Sequence, residues 1–542
     1  MPFTPKPIYT LSVLTLPSKI TIMKMTKKIF TRLLICNIIF FCGCQGEFLD
    51  RQPTDKLTNE KFWTSKKDAE LALAGCYSAL RTPAFFIDGS SFSSMQFEGL
   101  TDNAYCNSTL DNYTNISRGI LNPSTGGIQS RVWSDAYKGI ARCNWFLGNL
   151  SRVPNLTESE YAIMEAEALF LRSFFYNELV MLYGDVPLIT EQLGFGEDVF
   201  KVTKTPRSEI VDKIIQDLDI AATGLPNEQY TNGHPVRGSA LALKARICLY
   251  HERWSEAAAA AKLVIDENRF SLAESYQGIF WGEQANNPEI IFSIRAQSPV
   301  AVHNMDLLYG SRFSMVPIHS LVDAYEMRDG SAPVAPIVPS SYDPSDRMRN
   351  DFYQNRDPRL KLTIFTPGDE WAYNTDIGFN NVATARTENP SVNNLGIRKY
   401  INLTVNDGRG GLTGSEQHLV KLRYADVLLM YAEAITEMAG GETTDPIALK
   451  ALNDVRARPG VEMPPKTVLT RDIVRNERRV ELAFEGLRLY DIRRWKIAKE
   501  VMDGYRDPGN YVRVFEDKHY LWPVPQAEVD KMGADFQNPD YR

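Results

Sequence analysis

Residues Arg471 to Lys499 read RDIVRNERRVELAFEGLRLYDIRRWKIAK, and no other stretch restricts the fold so strongly. Ile473, Val480, Phe484, Leu487 and Tyr490 fall at helical spacing, so they share one face of a helix. Glu477, Arg478, Glu481, Glu485, Arg488, Asp491 and Arg494 are threaded between them. Glu481 stands two turns before Arg488, and Asp491 three residues before Arg494, which predicts ion pairs along the helix. A solvated amphipathic helix would show the same pattern. Its exposed pairs would then contribute only about 0–1 kcal/mol each.

The surrounding chain is of ordinary globular composition, and its 542 residues suffice for one large domain or two to four small ones. Its 24 Tyr and 8 Trp suit a large helical core, and they would equally suit a carbohydrate platform. The first 43 residues carry six basic side chains and no acidic one, so the remainder holds 54 basic against 67 acidic residues. Such an acidic body argues against nucleic acid as a partner and against adhesion to anionic lipid.

The basic start is an address. Lys24, Lys27, Lys28 and Arg32 precede the apolar run Leu33 to Phe41, which is too short to span a bilayer and fits a signal peptide. Translation would begin at Met23 or Met25. The run ends in Cys42-Gly43-Cys44, and Gly before Cys resembles a bacterial lipoprotein cleavage site. Cys44 would become the lipidated first residue, carrying palmitate or a similar acyl chain, although Phe41 stands where Leu is usual. Residues 1–43 would leave as the signal peptide. Of the other cysteines, Cys76, Cys106, Cys143 and Cys248 remain, without a CxxC, and are expected as buried small hydrophobes.

Helical signals dominate the chain beyond Cys44. Ser65 can cap a helix with Asp68 in its first turn, placing Ala69, Ala72, Leu73 and Cys76 on one face. Helices are predicted over 132–150, 158–183, 206–225, 239–250 and 254–266, the second stopped by Gly184-Asp185-Val186-Pro187. The last pair has small residues at Ala257 and Ala261 and a large one at Trp254, close to a tetratricopeptide pattern. Between residues 89 and 130 periodicity fails and Ser, Asn, Gly and Thr prevail, as in a loop. Asp102, Asn103, Tyr105, Asn107 and Tyr113 are candidate sugar ligands there. Amides and carboxylates bond hydroxyls, and aromatic rings stack on pyranose faces.

Residues 275–406 are irregular, with the strand-like run Glu289 to Ile294. Helices are predicted again over 421–437 and 447–458, and the chain closes with LWPVPQAEVDKMGADFQNPDY. Several of these segments resemble one family. NERRVELAFEGLRLYDIRRW is similar to the C-terminal signature of the SusD/RagB proteins. The FLD of residues 48–50 leading to Phe62-Trp63, LFLRSFFYNELVMLYGDVPL and RGSALALKARICLY resemble its N-terminal segments. Asp357-Pro358-Arg359-Leu360, Ile397-Arg398-Lys399-Tyr400 and the closing segment resemble its C-terminal ones, with Asp540 where Gly is common.

The resemblance implies a mainly α fold: a tetratricopeptide-like scaffold over residues 44–274 and an irregular, loop-rich C-terminal part over 275–542. It implies a non-catalytic outer-membrane lipoprotein, facing outward, that captures glycan for a SusC-like TonB-dependent transporter. By analogy Trp281, Tyr309 and Trp371 join the candidate ligand residues. A peptide-capturing RagB-like protein and a tetratricopeptide scaffold without small ligand are the alternatives. No GxSxG, GxxxxGK[ST] or GxGxxG occurs, and HERWS at 251–255 lacks the second His of a zinc helix. Neither cofactor nor metal is implied.

Overall fold

Side chains that close helix ends set the frame of the N-terminal half. The computed structural model describes residues 62–86, 92–193, 202–282, 284–297, 300–311, 314–333, 353–366, 369, 393, 395–401 and 414–542. Helix α1 (Lys66–Ser78) starts at Ser65, whose hydroxyl accepts from the Asp68 amide. After the short α2 (Tyr113–Ser117) comes α3 (Ile128–Asn149). Helix α4 (Glu158–Tyr183) opens on a capping box between Thr157 and Glu160 and stops at Gly184, where φ is +75°. α5 (Arg207–Gly224), α6 (Arg237–Tyr250) and α7 (Trp254–Asp266) complete this half.

Each long helix from α3 to α7 packs on the next. Ala257 and Ala261 are fully buried, as close approach of α7 requires, whereas Trp254 is half-buried. α4 is buried over almost its whole C-terminal two-thirds, so its polar groups must be paired. Arg172 meets Asp217 of α5 at 2.6 Å and Asn144 of α3 at 2.9 Å, tying three helices at one point. The four cysteines are free and buried.

The C-terminal half returns to the same stack. Among the described residues it holds α8 (His319–Ala324), α9 (Arg359–Thr363), α10 (Tyr424–Met438), α11 (Pro446–Arg456), α12 (Arg471–Glu481), α13 (Arg488–Arg494), α14 (Ala498–Met502) and α15 (Gln526–Met532). α10 packs on α7 and α11 on α10. The irregular middle is thus inserted into a continuous helical layer, and residues 64–542 form one unit.

The strands are short antiparallel pairs. β1 (Ala104–Cys106) pairs with β3 (Met315–Pro317), and β2 (Ile290–Ile294) pairs with β6 (Leu419–Arg423). β4 (Ile364–Phe365) pairs with β5 (Gly396–Ile397), and β7 (Glu442–Thr443) with β8 (Leu469–Thr470).

Three sequence expectations change. The helix predicted from Lys421 begins at Tyr424, because Leu419–Arg423 is drawn into the ladder with β2. Residues 89–130 are no open loop where described. They hold a buried 3₁₀ helix (Ser94–Leu100), β1 and α2. The run from Arg471 is two helices, broken where Phe484 and Gly486 take φ of 66° and 77°. A Cβ on Gly486 would lie 2.6 Å from the Ser94 carbonyl oxygen, so the break lets the chain pass close over the 3₁₀ helix.

Candidate ligand-binding region and the charge layer beneath it

α12 sends successive side chains to three different places. Glu477 and Glu481 face one buried cluster. One carboxylate oxygen of Glu481 accepts from Arg423 Nη1 at 2.7 Å and Arg458 Nη2 at 3.0 Å, and the other from Arg359 Nη1 at 2.9 Å. Glu289 bonds Arg423 and Arg458, Glu477 bonds Arg359 and Arg456, and Glu485 bonds Arg423 and Lys399. Burial opposes ionisation of Glu481, but Arg423, Arg458 and Arg359 outweigh it and hold the carboxyl well below the usual range. Burial pushes Lys399 down to about 8 although Glu485 holds it.

Arg478 points the other way, to Asp426 at 2.8 Å and Glu433 at 3.3 Å, where Arg246 and Arg494 also bind. The solvated face considered for this stretch is therefore a buried one. The predicted Asp491–Arg494 pair forms at 2.8 Å. The predicted Glu481–Arg488 pair does not, because the break between α12 and α13 sends each to other partners.

Arg479 and Arg488 reach the candidate region. Both bind Asp102, at 2.9 and 2.8 Å. Burial raises the Asp102 carboxyl, but the two guanidinium groups outweigh it and hold it below the carboxylate range. Asn103 accepts from Arg479 Nε at 2.8 Å and donates to Glu98 at 2.7 Å. Desolvation pushes Glu98 up to about 7, with Asn103 and Arg488 pulling the other way. Tyr113 donates to the Ser93 carbonyl at 2.7 Å, and Tyr309 accepts from Gln96 at 2.9 Å. Tyr105 lies on β1 opposite Val316, its hydroxyl against Gly509.

Asp102, Asn103, Tyr105, Tyr113 and Tyr309 are candidates for a ligand face by sequence, and the structure buries all five. Asp102, Asn103, Tyr113 and Tyr309 form a hydrogen-bonded polar floor around the Ser94–Leu100 turn. Asn107 is exposed just past β1 and Trp281 is half-buried. Trp371 and Cys44 lie outside the described residues. The β1–β3 ladder does bring the two irregular stretches of sequence together.

Sequence reasoning missed Tyr511, which is 45% exposed with the Arg118 guanidinium stacked on its ring. No periodic signal marks it, and only its place in a turn-rich YRDPGNY run singles it out. A cleft of ≈ 710 Å³ elsewhere is lined by Trp133, Tyr137 and Trp145, with Lys138, Arg142 and Glu191 around them. Aromatic faces beside charged groups suit a sugar. Among the described residues no three His, Cys, Asp or Glu side chains gather as a metal site, and no helix is long and apolar enough to cross a membrane.

Comparison with known proteins matches this arrangement at both ends. Residues 285–541 match the family model described as "SusD family", and residues 47–249 match one described as "Starch-binding associating with outer membrane". The SusD-like protein P2 of Formosa agariphila is 28% identical over 531 residues, covering 94% of this chain and 97% of its own. A SusD-like carbohydrate binding protein from Bacteroides fragilis superposes with a TM-score of 0.74 at 29% identity, covering 89% of this chain and 100% of that one. A laminarin binding SusD-like protein shares the fold with a TM-score of 0.67 at 24% identity, over 88% of this chain and 100% of its own.

Proposed function

Since this chain belongs to the SusD/RagB family, we propose that it is a surface lipoprotein that captures a glycan and passes it to a SusC-like TonB-dependent transporter. It is a binding protein of that family and not an enzyme. The observation that carries the glycan reading is the match to a carbohydrate-binding relative over the whole of that relative's length. The geometry adds support. β1 and β3 join the early and middle irregular stretches above a floor in which Asp102 and Asn103 are already paired. Such a floor holds loops in place without contributing to the ligand. Among the described residues the side chains offered to ligand are Asn107, Trp281 and Tyr511, with aromatic rings for pyranose faces, and Trp371 joins them by analogy with the family. Several weak contacts along a polymer give avidity through effective concentration.

The anchor is part of the same reading. Lipid on Cys44 holds the protein at the outer membrane with its binding face outward, beside the barrel it serves.

Affinity electrophoresis of the mature protein through a panel of polysaccharides tests the capture step. One glycan should retard it and emerge unshortened. Trp281→Ala, Trp371→Ala and Tyr511→Ala should each weaken retardation, while Tyr113→Phe, at a buried ring, should leave it unchanged. No retardation by any glycan would overturn glycan capture, and depolymerisation would overturn the non-catalytic reading. Loss of fatty-acid labelling in Cys44→Ala tests the anchor, and co-purification with a TonB-dependent barrel tests the partner.

A further inference from the structure

One guanidinium in the signature has no counter-charge. Arg359, Arg423, Arg458, Arg478 and Arg513 are fully buried and each binds at least one carboxylate. Arg493 is only 7% exposed, yet its Nε and Nη1 are buried without any hydrogen-bond partner. Among the described residues no carboxylate pairs with it. Around it stand the Trp522 ring, whose centroid is 5.7 Å away, and the phenols of Tyr541, Tyr490, Tyr183 and Tyr520. A buried cation left this way is costly, and native structures rarely keep one without a reason.

Two further donors in the same place are also unsatisfied. The Tyr250 hydroxyl is buried without a partner. His251 Nδ1 accepts from Arg207 Nε at 3.2 Å, so the proton of the neutral ring sits on Nε2. Burial, with Arg207 and Arg253 beside it, pushes His251 down to about 3, which keeps the ring neutral at ordinary pH. That Nε2–H is again buried and unpartnered. Arg493, Tyr250 and His251 line one cleft of ≈ 410 Å³, with Arg207 and Lys496 also in its walls. The acids in the walls do not answer these donors. Asp517 is turned to Lys499 at 3.1 Å, and neither Glu252 nor Asp540 pairs with Arg493.

Orphan donors of three kinds around one cavity call for an acceptor with several oxygens. We propose that this cleft binds an oxyanion group — a sulfate, phosphate or carboxylate — through Arg493, Tyr250 and His251, with Arg207 holding the imidazole in its donor tautomer. Asn107, Trp281 and Tyr511 are not among the residues that line this cleft.

Titration calorimetry and thermal melting of the mature protein test this with sodium sulfate and sodium phosphate, at ionic strength held constant by sodium chloride. Saturable binding is expected. Arg493→Met should weaken it at least tenfold and should melt no lower than the parent in anion-free buffer, since it removes an unpaired charge and keeps the bulk. Arg207→Gln should weaken binding as well, and serves if Arg493→Met fails to fold. Equal stabilisation of parent and variants by sulfate would show only general salting-out and would overturn the site. So would an Arg493→Met protein that melts lower with its anion response intact. Competition separates the sources. Displacement of sulfate by a sulfated or uronate-bearing polysaccharide, but not by a neutral one, assigns the anion to glycan. Retention of bound sulfate against every polysaccharide assigns it to the free ion.

Discussion

The seam between α6 and α7 and the charge layer on α12 are both buried, but they are held by opposite means. Ala245, Leu249, Ala257 and Ala261 are buried where α6 packs on α7, and one half-buried pair, Arg237–Glu267 at 2.8 Å, stands at the end of that otherwise apolar seam. α12 is held by Glu477, Glu481 and Arg478, bound to cations and anions from α9, β6, α10 and the turn after α11. Apolar contact joins neighbours in sequence, is non-directional and tolerates substitutions of similar volume. The ionic layer joins segments from 21 to 169 residues apart and fixes them in one arrangement, because each guanidinium fork accepts few geometries. An irregular insertion between α7 and α10 needs the second kind of fastening, since it has few helices of its own to pack.

The largest expected difference lies at Glu481. Glu481→Gln keeps the shape and removes the charge shared by Arg359, Arg423 and Arg458. Breaking one partner of a buried pair costs about 3–5 kcal/mol, and here three cations each lose one of their carboxylates while keeping another. The variant should unfold at markedly lower denaturant concentration, or fail to accumulate folded. A loss below about 1 kcal/mol would show that the layer contributes geometry without stability.

Within the ionic region Glu98 is the exception. Its one oxygen accepts from Asn103 and the other is buried without a partner. Desolvation therefore dominates and raises the folded pKa from 4.5 to about 7. A raised pKa means that the folded state favours the neutral acid. That contribution is complete below the unfolded value of 4.5 and is lost as pH rises through about 7. The full span is about 3 kcal/mol. Glu98→Gln, fixed neutral, should gain on the parent in melting temperature steadily from pH 5 to pH 8. Parallel melting profiles would refute the assignment.

How legible this was in the sequence obeys the same divide. α4 and α7 begin and end where caps, breakers and apolar spacing place them, because those signals are local. The charge layer was invisible as such: charges at helical spacing look alike whether water or arginine lies opposite. Yet the short landmarks that suggested the family, Asp357-Pro358-Arg359 and Ile397-Arg398-Lys399, supply partners of the signature itself. The candidate site was half legible. Composition singled out the stretch around β1, where Asp102, Asn103, Tyr105 and Tyr113 turn out buried and Asn107 exposed. The direction of Tyr113 and the pairing of Tyr309 with Gln96 depend on contacts 20 and 213 residues away, which no local pattern encodes.

On the apolar side the test is overpacking. Ala257→Leu adds volume where α7 lies against its neighbours and should cost about 1–3 kcal/mol, read from urea melts with unchanged slope. A cost near that of Glu481→Gln would erase the proposed contrast between a forgiving and an exacting interface.

The smallest expected effect probes how far a disturbance travels. α11 starts on Asp445, whose carboxylate accepts from the Ile447 and Ala448 amides at 3.0 and 2.8 Å, with Pro446 at the first helical position. Arg456 and Arg458, at the far end of α11 and just beyond it, enter the charge layer. Asp445→Ala should cost about 1 kcal/mol by releasing the first turn alone. Hydrogen exchange should then quicken at the start of α11 and stay slow at α12, because four carboxylates keep the two arginines in place whether or not the first turn frays. Faster exchange in α12 would mean that the layer is only as firm as the helix that feeds it.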